Sequence, residues 1–211
     1  MSKAATDRAG GTGTLGILGG AFDPVHNGHL RLAVELQEVL ELDEVRLVPT
    51  GQPPHREPAV ASAEQRFLLC RAAVKGESNM QADDCEILRD GPSYAFETLR
   101  QFREEYPDKS IVWLMGSDAF ANLNKWHRSA ELLELAHLVV VHRPGESVSE
   151  ESLSAWGKYE IEQPTDLHRK PAGDILFHSM TLLDISSTQI RDCLRHQRSI
   201  RYLVPVIAFY S

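Results

Sequence analysis

Short runs of consecutive apolar residues alternate along the chain with longer stretches in which apolar positions recur every three or four residues. Residues 15–19, 45–49, 111–115 and 138–142 read as buried strands. So does a stretch around 82–88, with a weaker one at 175–178. Between them, residues 28–42 carry Leu32, Leu36, Val39 and Leu40 at helical spacing. Residues 64–74 and 94–106 read likewise, with Pro107 closing the latter. Strands alternating with helices predict βαβ units, hence an α/β fold built on a doubly wound, mostly parallel sheet. Such sheets bind ligands beyond the carboxyl ends of their strands, where the winding reverses. Residues that carry chemistry therefore belong just after strands.

The rest of the chain reads as connection. Residues 1–13 form a polar, Gly/Ala/Thr-rich leader that is expected to be flexible, and residues 14–211 form a single domain. Residues 51–61 hold Pro53, Pro54 and Pro58 and predict a surface connection. Residues 144–173 are polar, acidic at Glu146, Glu150 and Glu151, and interrupted by Pro164 and Pro171. They read as an insertion with a short helix near 149–156, not as a second domain. Residues 186–209 read as helical in two pieces. No repeat of solenoid length is present.

Composition narrows the function classes. A chain of 211 residues buries enough surface to fold without metal or disulfides. The aliphatic run at residues 138–141 is far too short to span a bilayer, and the first 14 residues lack the apolar core of a secretory signal. Cys70, Cys85 and Cys193 are too few and scattered for a disulfide framework or a zinc site and fit a reducing cytoplasm. With 22 Lys+Arg against 30 Asp+Glu, the net charge is −8. A broad basic face for nucleic acid is not expected. An anionic ligand would need the few cations gathered at one place.

Candidate chemistry sits where the winding predicts it. Gly19, Gly20, Phe22, His26, Gly28 and His29 follow the first strand and open the first long helix, in the string G-G-A-F-D-P-V-H-N-G-H. Glycines allow close backbone approach, a helix start offers N–H groups to an anion, and His26 and His29 share one side of that start. A chance H-x-G-H has an expected count of about 0.025 in a chain of this composition. Two plainer readings of the histidines are helix caps and a metal pair. The metal pair lacks companion ligands at zinc spacing. The G-x-G-x-x-G dinucleotide fingerprint is absent.

A second group is Ile185, Ser186, Ser187, Thr188 and Arg191, where Ser186 and Gln189 have capping-box spacing. It reads either as a second anion site with a guanidinium or as an ordinary capped helix. Gly116 and Asp118 follow the 111–115 strand, where an acid commonly holds a ribose hydroxyl or helps place a metal; a plain N-cap is the alternative. Trp126 with His127 reads as a stacking platform or as half-buried packing. Arg143 ends a strand beside the predicted crevice, and His55 and Arg56 lie on the proline-rich connection.

H-N-G-H taken together with I-S-S-T-Q-I-R resembles the nucleotidyltransferase superfamily with the H/T-x-G-H signature. The order G-G-A-F-D-P-V-H-N-G-H, P-P-H-R, P-S-Y-A-F-E-T-L, G-S-D-A-F, K-W-H-R, V-V-V-H-R-P-G, I-S-S-T-Q-I-R is similar to that of the bacterial nicotinate-nucleotide adenylyltransferases across roughly residues 14–210. The resemblance implies a Rossmann-like nucleotidyltransferase fold and transfer of AMP from ATP to nicotinate mononucleotide. Deamido-NAD and pyrophosphate are released, with Mg²⁺ accompanying ATP. It further implies that His26, His29 and Arg191 are catalytic. Gly19, Gly20, Phe22, Gly28, Gly116, Asp118, Ile185, Ser186, Ser187 and Thr188 would bind ATP. His55, Arg56, Tyr94, Thr98, Trp126, His127 and Arg143 would surround the acceptor.

No metal-ligating side chain is implied. Two positions depart from the family pattern. Arg56 stands where members often have Lys, which serves a phosphate equally well. Ala95 stands where members often have Thr, so recognition there must use backbone. The resemblance also frames three rivals: a sister transferase for nicotinamide mononucleotide or phosphopantetheine, a nucleotide-binding module without chemistry, and a nicotinamide-dependent dehydrogenase. The missing glycine fingerprint disfavours the last.

Overall fold

A computed structural model describes residues 13–53, 59–145, 150–181 and 183–206. In chain order the elements are β1 (Thr14–Gly20), α1 (Asn27–Val39), β2 (Glu44–Pro49), α2 (Ala63–Ala73), β3 (Met80–Ala82), α3 (Cys85–Leu88) and α4 (Ala95–Glu105). They continue as β4 (Ser110–Gly116), α5 (Ser117–Phe120), α6 (Leu132–Leu135), β5 (His137–His142), α7 (Glu150–Trp156), β6 (Glu160–Ile161), β7 (Ile175–Ser179) and α8 (Ser187–Arg195). Seven strands form one sheet in the order β3-β2-β1-β4-β5-β7-β6, and each neighbouring pair is parallel. The chain winds outward from β1 to β3, then crosses back to β4 on the other side of β1. The reversal therefore lies between β1 and β4.

Side-chain alternation along the strands feeds two cores, one on each face. Leu15, Ile17, Ile111, Trp113, Leu138 and Val140 pack with Phe96, Leu99 and Phe102 of α4. Leu18, Val45, Leu47, Val112, Leu114, Val139 and Val141 pack with Ala33 and Leu36 of α1 and Cys70 of α2. Strands covered on both faces need apolar residues at nearly every position, which is why β1, β4 and β5 appear in the sequence as unbroken apolar runs. Among the described residues, no helix is long and apolar enough to cross a membrane.

Two expectations are corrected. The strand around 82–88 ends at Ala82, and Cys85–Leu88 is the helix α3, with Cys85 N–H bonded to the Asp83 carboxylate at 3.0 Å. The helix of 28–42 stops at Val39, and Glu41 takes a positive φ of 50°. Within the 144–173 stretch, α7 supplies the expected short helix and β6 pairs with β7 at the sheet edge. After α8, Arg201 and Val204 form an isolated parallel bridge and Val206 enters a 3-10 turn; residues 207–209 of the expected second helical piece lie outside the described residues. Residues 1–12 and 207–211 lie outside the described residues.

Candidate active site

β1 and β4 both end in glycine, at Gly20 and Gly116, on either side of the reversal. Gly19 lies against the indole of Trp113. A Cβ there would stand 2.6 Å from the ring, so the backbone turns out of β1 where any side chain would collide. Phe22 holds a left-handed φ of 47°, which burial of its ring sustains. That turn delivers the chain through Asp23 and Pro24 to His26, the N-cap of α1.

His26 and His29 stack with centroids 3.6 Å apart and planes at 21°, and Phe22 meets His29 edge-on at 4.9 Å. His26 N–H donates to His29 Nδ1 at 3.3 Å, so His29 Nδ1 is an acceptor and the ring's proton belongs on Nε2. Burial pushes the His26 imidazole down to about 4. Burial, with the His26 charge second, pushes His29 down to about 3. Both rings are therefore neutral hydrogen-bonding groups near pH 7. His26 Nδ1 is buried without a partner, and a Cβ at Gly28 would stand 3.0 Å from it. Only glycine leaves that nitrogen its space.

α8 begins at the same place. Its N-cap Ser186 accepts from Gln189 N–H at 3.1 Å, which confirms the capping box. Ser187 Oγ donates to Pro24 O at 2.9 Å, and Arg191 Nη1 donates to Asp23 O at 2.6 Å. Arg191 also reaches Thr188 Oγ1 at 3.2 Å and lies 3.6 Å from the Asp23 carboxylate, while its Nε is buried without a partner. The two motifs thus lie side by side. Two donors expected to be free are spent within the protein. The Ser187 hydroxyl proton goes to Pro24, and Asn27 N–H at the start of α1 goes to Leu203 O at 2.9 Å.

The other predicted residues divide into two sets. Tyr94, the N-cap of α4, stacks on His127 at 4.3 Å, and Trp126 meets Trp113 edge-on at 6.4 Å. Trp113 therefore joins this aromatic wall to Gly19. Asp118 is exposed on α5 and turns Oδ1 back over Gly116. Thr98 is wholly buried and its hydroxyl is committed to Glu86 at 2.6 Å, so it does not face the crevice. Burial raises the pKa of Glu86 against the opposing effect of that hydroxyl. Arg143 bonds Asp184 at 2.9 Å, which ties it to the approach of α8. Ile185 lies on that approach, its N–H bonded to Leu183 O at 2.8 Å. His55 and Arg56 lie outside the described residues.

A family model described as cytidylyltransferase-like matches residues 17–193. A curated relative in Pseudomonas syringae pv. tomato is 45% identical over 194 residues, covering 90% of this chain and 87% of the relative; its name is "Probable nicotinate-nucleotide adenylyltransferase". A relative of the same name in Marinobacter nauticus is 44% identical over 192 residues, covering 90% and 89%. The chain belongs to the nicotinate-nucleotide adenylyltransferases, within the cytidylyltransferase-like family. The fold agrees. The Plasmodium falciparum nicotinic acid mononucleotide adenylyltransferase complexed with NaAD superposes with a TM-score of 0.72 at 16% identity, covering 94% of each chain. The same protein complexed with APC gives 0.70.

Within this adenylyltransferase, several residues that no motif singles out build the site. Trp113 supplies the floor under Gly19. The Asp23 carboxylate accepts from Val60 N–H at 2.8 Å and Ala61 N–H at 3.1 Å. Ser93 Oγ accepts from Gly51 N–H and Gln52 N–H at 2.9 and 3.0 Å. Arg66 donates to carbonyls on three segments. The Asp and Pro inside G-G-A-F-D-P were visible in the sequence. Arg66 had no visible signal beyond its place at the start of α2.

Proposed function

We propose that this adenylyltransferase transfers AMP from ATP to nicotinate mononucleotide, releasing pyrophosphate and forming deamido-NAD for NAD biosynthesis. The observation that carries the reading is the bonding of Ser187 and Arg191 to the Asp23–Pro24 backbone, two residues before His26. It brings the starts of α1 and α8 side by side beside the sheet's reversal, which supports their acting on one triphosphate. Residues from Thr14 onward act as one domain in this reading. The three cysteines, all free, support a reducing cytoplasmic setting.

The acceptor's 5′-phosphate is already anionic, so no proton has to be removed before it attacks. One acceptor oxygen bonds the α-phosphorus as the bond to the pyrophosphate oxygen breaks, in line. Catalysis then consists of alignment and of donors aimed at developing charge. His26 and His29 serve as neutral donors in a dry site, and Arg191 brings the fixed positive charge. Gly19, Gly20, Phe22, Gly28, Gly116 and Asp118 line the nucleotide side with Ile185, Ser186, Ser187 and Thr188. From α8 the backbone N–H groups are the available donors, because the Ser187 hydroxyl is already engaged.

Trp126, His127 and Tyr94 form the acceptor wall, and His55 and Arg56 bind the acceptor in this reading. Thr98 acts through Glu86, and the contact with Asp184 moves Arg143 to the nucleotide side. Among the described residues, no cluster of three or more His, Cys, Asp or Glu side chains could hold a metal. In this reading Mg²⁺ would accompany ATP as part of the substrate and help neutralise its phosphates.

The test is ATP offered in parallel with nicotinate mononucleotide, nicotinamide mononucleotide or phosphopantetheine, following pyrophosphate with and without Mg²⁺. The expected result is fastest release with nicotinate mononucleotide, dependent on Mg²⁺. Faster release with either other acceptor, or none with any, overturns the assignment.

A further inference from the structure

Arg66 lies in the first turn of α2 and is 2% exposed. Its guanidinium spreads over three separate segments: Nη1 donates to Ala21 O at 2.6 Å, Nη2 to Thr50 O at 2.6 Å and Nε to Ala61 O at 3.4 Å. Burial lowers its pKa, with the Asp23 carboxylate as the main opposing influence, and an arginine stays charged regardless. A buried cation is costly to hold, and an apolar side chain of similar volume is often at least as stabilising. The three carbonyls offset that cost, and the bonds to Ala21 and Thr50 also join segments far apart in the chain.

Each of the three carbonyls leads to a different part of the site. Ala21 precedes Asp23 and Pro24, which carry the chain to His26 and receive Ser187 and Arg191. Thr50 precedes Gly51 and Gln52, which are pinned to Ser93; Ser93 N–H returns a bond to Gln52 O at 2.8 Å, and the next residue is Tyr94. Ala61, with Val60, binds the Asp23 carboxylate and closes the circuit on the first turn.

We propose that Arg66, acting with Asp23, is a positioning residue that fixes the separation between the phosphate turn leading to His26 and the acceptor wall at Ser93–Tyr94. This rests on the adenylyl transfer proposed above, because in-line attack requires that separation to be held. A misplacement of about 1 Å costs on the order of 10²-fold in rate. Neither residue touches substrate in this role.

Arg66→Lys keeps the charge, but one ammonium cannot span three carbonyls in a planar fork. The expected result is a fall in kcat of about 10- to 100-fold, with KM for ATP held within about threefold. Asp23→Asn, which preserves size, is expected to lower kcat at least about tenfold in the same pattern. Because both act on one turn, the double variant should fall no more than about twofold below the poorer single, whereas independent lesions would multiply.

A kcat within twofold of the parent for Arg66→Lys, or multiplying effects, overturns the proposal. If Arg66→Lys does not fold, Asp23→Asn decides alone, and unchanged turnover overturns it. The parent enzyme is assayed first. No pyrophosphate from nicotinate mononucleotide there defeats the functional reading itself, while a working parent with indifferent variants defeats only the positioning role.

Discussion

Histidines stand at both ends of the sheet, and the two ends use them differently. At the amino end, His137 opens β5. Its Nδ1 accepts Asp174 N–H at 3.1 Å and its Nε2 donates to Lys170 O at 2.9 Å. His168 is held the same way, between Thr14 Oγ1 and Leu40 O at 3.0 Å each. Both nitrogens of both rings are engaged. At the carboxyl end, His26 Nδ1 is buried with no partner, and so is Arg191 Nε. Folding normally satisfies buried polar atoms, so in the proposed reaction the unspent capacity at the carboxyl end is where a ligand's atoms would complete the bonding. Residue type does not separate a structural histidine from a functional one here; unused hydrogen-bonding capacity does.

The comparison can be broken by substitutions at either end. His29→Ala should lower turnover by about 10² or more, the scale of losing one donor to developing charge. Pyrophosphate release measures it, and near-parent turnover would remove the functional end of the contrast. His137→Ala should cost about 2–3 kcal/mol of stability in urea unfolding, since it strands Lys170 O and Asp174 N–H. Its kcat should stay within about twofold of the parent. A large loss of turnover in a folded His137 variant would mean that the ends are not separate in role.

Gly28→Ala places a methyl 3.0 Å from His26 Nδ1 and 3.1 Å from Cε1, so the imidazole must shift. Turnover should drop about tenfold, equal to ~1.4 kcal/mol of barrier. An unchanged rate would show that His26 Nδ1 is not needed where it stands.

The smallest effect is on the pH dependence of stability. His26 and His29 take up protons near 6.5 when unfolded, but only at about 4 and about 3 when folded. Their contribution is full above about pH 6.5 and declines as the pH falls from there toward about 3, because the unfolded chain binds protons first. Urea midpoints at pH 7 and pH 5 should differ less in His26→Gln and His29→Gln than in the parent.

Much of the architecture was legible in the sequence. β1, β2, β4 and β5 announce themselves as apolar runs because both faces of the sheet are covered, and α1, α2 and α4 by their helical stripes. The edges were not legible. β3 and β6 each have one neighbour and only three and two residues, too short to impose a period, so the apolar positions of 82–88 suggest a strand that ends at Ala82 and no pattern marks β6. In the site, the histidine and I-S-S-T-Q-I-R motifs were visible because their residues are adjacent in the chain. Arg66 was not, since its partners are carbonyls, which every residue possesses and no pattern distinguishes.

The sequence alone determined the strand–helix alternation and the two motifs at helix starts, because local periodicity and helix capping depend on neighbours in the chain, whereas the reversal between β1 and β4 came with the strand order. The tertiary structure decided which donors stay free, that the paired imidazoles are neutral, and that one buried guanidinium joins the walls of the crevice. Desolvation and hydrogen-bond competition are set by groups from distant segments. Ser187 shows it plainly: its hydroxyl is a phosphate donor on paper, and a carbonyl 163 positions away in the chain has already taken it.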